Sequence, residues 1–415
     1  MDNAVTRGKI IETGVGFRSS LSDLKKNLNS KTITAGVVAA IFGCSGPALV
    51  TYNAATAAGY SVEQAATWLF GIYVFGGLIS LIMALYYKQP IVGAYSIPGA
   101  SMLGAALLGF TFNEAAASFI MAGVIVLILG ITGLMGKVMK WLPLPIVMGM
   151  IAGAMLRFGT NIVNSTKEAP IICGIAIAAF LFVPKVIKKM PPVLAALIFG
   201  VGALFITGGF NFETVDLVYY PPQLIVPQFN IATMLSVSVP LAALVVGAEN
   251  AQAIGVLYAQ DYKPPVNAMT IISGIGGILA GLVGAHNANI AGPMTAICSS
   301  EEAGEDKAGR YAAAVVNGIL FASFGLVASF AIAFVKVIPS TLINVLAGLA
   351  MINVLIHAFK DGFGSGKFKM GAFAALIVGV SGLSILKIGA PFWALLVGVL
   401  VSLIYERKDF YNFAK

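Results

Sequence analysis

Glu249 is the one carboxylate that falls deep inside a long apolar run, SVSVPLAALVVGAENAQAIGVL from Ser236 to Leu257. An ionised carboxylate is costly there, and burial favours its neutral form. Such a group can bind and release a proton or hold a polar solute; the alternative role is a hydrogen-bond anchor between helices. Gln252 lies three residues on and shares the helical face of Glu249, whereas Asn250 does not. Two other apolar stretches are interrupted by proline. PIVGAYSIPGASMLGAALLGF, from Pro90 to Phe110, carries Pro98, which lacks an amide donor and biases Ile97 away from helix. Tyr95, Ser96 and Ile97 are expected to run extended, with a half-helix starting near Pro98. GAHNANIAGPMTAICSS, from Gly284 to Ser300, is expected to be extended or looped over His286–Ile290, with a half-helix from Gly292 or Pro293.

Two half-helices can aim their N-termini at one site, where free amides and helix dipoles favour an anion. Non-helical backbone at that depth survives only against protein or a cavity. The competing reading is two ordinary proline kinks. His286, beside the second break, could donate to a bound carboxylate, share a proton with Glu249, or satisfy a helix terminus. Tyr52, in GCSGPALVTYNAATAAG from Gly43 to Gly59, could face an aromatic solute or pack in the core, and Pro47 would loosen that helix. Asn317 reads as helix packing, His357 as interfacial, and Arg157 as reaching for the outer face or drawing an anion to the vestibule. Cys44, Cys173 and Cys298 fit no metal or disulfide pattern and read as packing residues. No Walker sequence, dinucleotide fingerprint or zinc-ligand cluster appears. No nucleophile–base set is evident either, so neither an enzyme nor a cofactor is expected.

The elements that must carry these residues follow from composition. Of 415 residues, 59% are hydrophobic and only 10% charged, too few charges to cover a soluble fold of this size. Apolar runs long enough to span a bilayer recur from Lys31 to Tyr405. Fourteen membrane segments are expected, near 31–57, 62–87, 90–109, 113–135, 143–163, 169–187, 190–208, 232–258, 265–284, 286–298, 309–335, 340–359, 370–386 and 388–405. With both termini cytosolic, only Arg157, Lys167, Lys336 and Lys387 fall outside; the other 21 of the 25 basic residues fall inside. The positive-inside rule thus accounts for the net charge of +8, and no nucleic-acid partner is expected. The N-terminal tail, 1–30, shows no cleavable signal and reads as cytosolic, with amphipathic turns along Gly16–Asn29. A cytosolic C-terminal tail covers 406–415.

The loop from Gly208 to Asn230 carries Glu213, Asp216, Tyr219 and Tyr220 and no Lys or Arg. It is the long external connection, at 209–231, between a first repeat at 31–208 and a second at 232–405. Seven segments on either side is the arithmetic of an inverted repeat. A faint echo agrees: Val92-Gly93-Ala94-Tyr95 in the third segment and Val283-Gly284-Ala285-His286 in the tenth. Small residues such as Gly76-Gly77, Gly274, Gly276-Gly277, Gly281 and Gly284 allow helices to approach closely.

YSIPGA at 95–100, MIAGAMLRFG at 150–159, the stretch 229–257 and GAHNANIAGPMTAIC at 284–298, followed by an acidic loop and RYAAAV at 310–315, resemble the bacterial benzoate/proton symporter family. The resemblance spans about Lys31 to Tyr405. More broadly the chain is similar to the fold shared by nucleobase permeases and sulfate/bicarbonate anion transporters. That resemblance implies an all-α polytopic membrane protein of 14 segments in two inverted repeats. It implies a core domain (31–135 and 232–335), a gate domain (143–208 and 340–405), and substrate between the third and tenth segments. In the similar nucleobase permeases an acidic residue of the eighth segment binds the ring, and Glu249 matches it. A second acidic residue often stands in their tenth segment; here His286-Asn287-Ala288-Asn289 replaces it, which suits an anion better.

The expected activity is therefore proton-coupled uptake of an aromatic carboxylate such as benzoate across the cytoplasmic (inner) membrane. Tyr52 and Tyr95 would face the ring. The amide ends near Pro98–Ser101 (with Ser96 and Gly99) and Gly292–Thr295 would take the carboxylate, with Ser101, Asn287 and Asn289 as further donors. Glu249, with Gln252 beside it, would carry the proton, and His286 is the second candidate for that role. The proton is the coupling ion, and the bilayer and the carboxylate are the partners. A nucleobase symporter and a small-anion transporter or channel are the alternatives. Fold analogy adds a homodimer that nothing in the sequence itself displays.

Overall fold

A computed structural model describes residues 11–44, 46–134, 143–187, 190–207, 209, 218–385 and 390–413. Lys137, Lys140, Lys188, Lys189 and Lys387, among the 25 basic residues counted above, and Glu213 and Asp216 of the long loop lie outside them. The fold is a polytopic bundle of apolar helices. Seven described stretches are long and apolar enough to cross a bilayer, and several shorter helices stand among them.

The helices of the first half are α1 (Phe17–Asn27), α2 (Ser30–Cys44), α3 (Gly46–Ala57), α4 (Val62–Tyr87), α5 (Ile97–Ala106), α6 (Phe112–Thr132), α7 (Leu144–Glu168), α8 (Pro170–Val186) and α9 (Pro192–Thr207). Capping chemistry written in the sequence starts α4 and α6. Ser61 with Gln64, and Thr111 with Glu114, form reciprocal capping boxes. In the second half stand α10 (Ile231–Tyr258), α11 (Val266–Leu282), α12 (Gly292–Ser299), α13 (Tyr311–Leu326), α14 (Ala328–Val337), α15 (Ser340–Phe363), α16 (Lys369–Ser381), α17 (Ala390–Tyr405) and α18 (Arg407–Phe413).

Three expectations change. The eleventh segment is not one helix: it breaks at Val327, whose N–H bonds back to Phe324 in a tight turn before α14 restarts. The eighth, α10, is not regular. It widens into π turns over Met234–Ser238 and Val245–Asn250. Pro240, which cannot donate to the carbonyl of Ser236, follows the first of these. Ile97 is not extended but is the first residue of α5, because Ser96 caps the helix two positions before Pro98.

Two short strands interrupt the bundle. β1 (Gly93–Tyr95) and β2 (Ala288–Ile290) pair antiparallel, with Ala94 opposite Asn289. The pairing satisfies backbone that neither helix nor water could serve at this depth. Each strand lies on a glycine of a long helix. A Cβ on Gly76 of α4 would stand 2.7 Å from the Ala94 carbonyl, and one on Gly276 of α11 would stand 2.5 Å from that of Ala288. The next residues repeat the pattern against helices: Gly77 faces the Gly318 carbonyl of α13, and Gly277 faces Gly123 of α6.

Straps close both ends. On one face, Gly16 donates to Tyr86, Tyr311 donates to Ser20, and the Glu12 carboxylate accepts from the Asn267 and Ala268 amides at the start of α11. Lys88 pairs with Asp23, Lys307 with Asp261 at 2.8 Å and Lys31 with Glu305 at 2.9 Å. The hydrogen bond and then the charge of each lysine hold the three carboxyls below their ordinary range. On the opposite face the chain before α10 runs across helix ends. Ile225 donates to Leu282, Gln228 to Asn113, and Asn230 to Glu114. Tyr219 is exposed beside Phe330.

Candidate substrate site

Glu249 sits in the second π turn of α10 and is 4% exposed. π turns inside helices often mark functional positions. Burial of its charge is costly, and the chain supplies three donors to offset that. The amide of Ile97, first residue of α5, the amide of Gly292, first residue of α12, and the hydroxyl of Ser96 are the polar groups set against its carboxylate. Those amides are among the orphan donors every helix start leaves free. The two half-helices therefore do converge, and the carboxylate at their meeting point is the protein's own.

A cavity of about 520 Å³ opens beside Glu249. Ile97 and Pro98 of α5, Gln252 of α10 and Pro293 and Ile297 of α12 wall one side. Across it stand the first turns of α7, with Met148 and Ile151, and the last turns of α15. The size suits a small organic molecule, and the apolar lining with one buried carboxylate is the usual composition of such a pocket. Gly292 packs on the Gln252 side chain: a Cβ there would stand 2.5 Å from it, so that side chain would have to shift.

Other predicted residues surround the site without lining the cavity. Ser96 accepts from the Gly99 amide at 3.0 Å, capping α5. A Cβ on Gly99 would stand 2.7 Å from Leu241, which ties α5 to α10. The Ser101 hydroxyl turns back to the Pro98 carbonyl at 2.8 Å, and its own carbonyl receives Arg157 at 3.4 Å. Thr295 accepts from the Val92 amide at 3.1 Å and so fixes the approach to β1. Asn289 donates to the Ile290 carbonyl, and the Asn287 amide lies against Gly277.

His286 is fully buried and both ring nitrogens are engaged. The Trp68 indole, which can only donate, reaches Nδ1 at 2.8 Å, so the proton is on Nε2 and is donated to the Ser96 carbonyl at 3.0 Å. The ring is a neutral brace for the α5 cap. Tyr95 is equally enclosed. Pro47 has no N–H to offer the Gly43 carbonyl one turn back. The hydroxyls of Tyr73 (2.8 Å) and Tyr95 (3.2 Å) take that carbonyl instead. Tyr52 is half-buried against the core. Asn317 reaches Ser80, as expected of a packing residue.

Sequence reasoning names neither Asn353 nor Asp361 and reads His357 as interfacial. They stand four residues apart on α15, a helical spacing that brings them to one face, and all three line the cavity. His357 thus lines the cavity near the end of α15. Among the described residues no group of three His, Cys, Asp or Glu could hold a metal ion.

Paired half-helices meeting a buried carboxylate, inside a membrane bundle and beside a cavity, are the architecture of a solute carrier. The chain belongs to the benzoate membrane transport protein family, BenE, whose model matches residues 26–404. It is 31% identical over 385 residues to the inner membrane protein YdcO of Escherichia coli (strain K12), covering 91% of this chain and 98% of that one. It is 26% identical over 387 residues to the benzoate membrane transport protein of Acinetobacter baylyi (strain ATCC 33305 / BD413 / ADP1), covering 92% and 97%. Among solved structures, the transmembrane domain of a cyanobacterium bicarbonate transporter, BicA, matches with a TM-score of 0.61 at 18% identity, over 95% of this chain and 99% of that one. Murine Slc26a9, an anion transporter in the inward-facing state, matches with 0.58 at 13% identity, over 98% and 73%. Family membership makes the chain a membrane transport protein rather than an enzyme.

Proposed function

We propose that the protein is a secondary active transporter that carries benzoate or a related aromatic carboxylate together with a proton. The observation that carries this reading is the Glu249 carboxylate, set against the first amides of two half-helices at the wall of an apolar cavity. With Glu249 ionised, those amides are taken. Once Glu249 is protonated it needs them less, and the anion of the substrate can replace it there. The aromatic ring would lie against Ile97, Pro98, Met148, Ile151 and Ile297. Proton and carboxylate then travel together because the same donors serve both. Glu249, Gln252, Pro98, Ser96 and Gly292 are the contact residues in this scheme. Gly99, Ser101, Tyr52, Tyr95, His286, Asn287, Asn289 and Thr295 act behind them, holding the half-helices and strands.

The reading includes fourteen membrane segments in two inverted repeats, with both termini on the cytosolic side of the inner membrane. The matched contacts support it: Gly76 on β1 and Gly276 on β2, Gly77 on α13 and Gly277 on α6. A core of 31–135 with 232–335 would carry the site, and a gate of 143–208 with 340–405 would move against it. The cavity reaches the start of α7 and the end of α15, the cytosolic ends of both helices in this orientation.

The test is proton uptake on binding, followed with a pH-sensitive dye in weak buffer as benzoate is added to purified protein. Wild type should take up protons as it binds, and Glu249→Gln should bind benzoate without doing so. Proton uptake by the glutamine variant equal to wild type would remove Glu249 from the coupling role.

A further inference from the structure

We propose that His357 and Asp361, on the face of α15 that lines the Glu249 cavity, form the route by which the coupling proton leaves for the cytosol. The inference rests on the proton-carrier reading of Glu249 and extends it to residues outside that scheme. Asn353, His357 and Asp361 follow at four-residue intervals, so they form one stripe down the last turns of α15. All three are exposed, and all three line the cavity that Glu249 lines. The other elements on that cavity bring no competing ionisable group. α2 contributes Phe42, and the lining stretches of α5, α7 and α12 are apolar. Glu249, His357 and Asp361 are therefore the ionisable groups that line this one space.

Position along the helix gives the stripe a direction. Asn353 is nearest the middle of α15, and Asp361 stands two residues before its end at Phe363. A buried carboxylic acid cannot hand its proton to an apolar wall; it needs a base within reach, directly or through water. Imidazole accepts and returns a proton in the physiological pH range. In the step proposed, the Glu249 carboxylic acid loses its proton to a ring nitrogen of His357, leaving a carboxylate and an imidazolium. The imidazolium then passes that proton to the Asp361 carboxylate or to water at the cytosolic mouth, and the ring returns to neutral. After the substrate anion has left, the Glu249 carboxylate recovers the Ile97 and Gly292 amides. His286 cannot serve this step, since the Trp68 indole and the Ser96 carbonyl hold both of its nitrogens.

The experiment separates net proton-coupled transport from exchange. Proteoliposomes are assayed for radiolabelled benzoate uptake driven by an inward proton gradient. They are also assayed for exchange of internal unlabelled for external labelled benzoate, in which the proton need not leave the protein. For His357→Gln, gradient-driven uptake should fall by about tenfold or more, the scale of losing an acid–base group, while exchange stays near wild type. Asp361→Asn should show the same split to a smaller extent, and it carries the test if the histidine variant does not fold. Imidazole loaded inside the liposomes should restore uptake in His357→Gly. Unchanged uptake in both variants overturns the route. Equal loss of uptake and exchange also overturns it, since that places His357 in substrate binding. Failure of the underlying reading looks different: Glu249→Gln would then keep its gradient-driven uptake.

Discussion

The indole of Trp68 and the ring of His286, 218 residues apart in the chain, meet through a 2.8 Å hydrogen bond that fixes which histidine nitrogen carries the proton. The other nitrogen donates to the carbonyl of Ser96, the residue that caps α5 and touches Glu249. In the proposed scheme His286 therefore positions one of the two amides at the site, and the coupling proton is assigned to Glu249. His286→Ala should destabilise the protein by about 1–3 kcal/mol, the usual cost of stranding buried partners, and should weaken benzoate binding. Proton uptake per benzoate bound should stay at the wild-type value. Thermal unfolding and dye titration in detergent measure both, and loss of proton uptake with binding intact would restore His286 as a carrier.

The Gly43 carbonyl depends on two tyrosines because Pro47 cannot serve it. Removing either hydroxyl leaves the other in place; removing both strands a buried acceptor. Tyr73→Phe with Tyr95→Phe should therefore cost more than the sum of the single changes, by about 1 kcal/mol. A double-mutant cycle on thermal unfolding checks this, and strict additivity would show that the carbonyl finds another donor.

Glu12 supplies the start of α11 with a carboxylate that no residue of that helix provides. Glu12→Ala should lower stability by about 1 kcal/mol, as loss of a helix cap does. It should also speed proteolysis of the N-terminal strap, with transport by intact protein little changed. The neighbouring Asp23 and Asp261, held low by their lysines, add their stability above the ordinary carboxylate range and lose it as pH falls through their folded values. Protection of the strap should consequently weaken in acid. A protease-resistant strap in Glu12→Ala at low pH would argue that apolar contacts alone hold it.

Glycine contacts give a further check. Gly276→Ala would drive a methyl into the Ala288 carbonyl, and Gly76→Ala would do the same at Ala94. Each should cost about 1–3 kcal/mol by overpacking and lower transport, because the strands lead directly into α5 and α12. A variant with normal unfolding temperature and normal uptake would contradict this account of the strands.

Much of this arrangement was readable in the residues. Pro98 and Pro293 marked both half-helices, and Glu249 stood out as a carboxylate in an apolar run. The segments flanked by basic loops also emerged from hydropathy and charge. What escaped notice depends on contacts far apart in sequence. Nothing local to Val245–Asn250 announces a π turn. The tautomer of His286 is set by Trp68, and the fate of Tyr95 by a proline in another helix. That Ile97 and Gly292 stand against Glu249 is not legible locally, because only the folded chain brings them to it. The stripe of Asn353, His357 and Asp361 is different: its spacing was visible, but only the cavity shows what it faces.

The central claim is tested most directly by radiolabelled benzoate uptake into proteoliposomes of the purified protein, under an imposed inward proton gradient. Uracil and xanthine are included as competitors. Accumulation above the external concentration, abolished by collapsing the gradient and by excess benzoate but not by the nucleobases, is the predicted result. Folded protein that moves no benzoate, or moves it only to equilibrium whatever the gradient, would contradict proton-coupled carriage of an aromatic carboxylate.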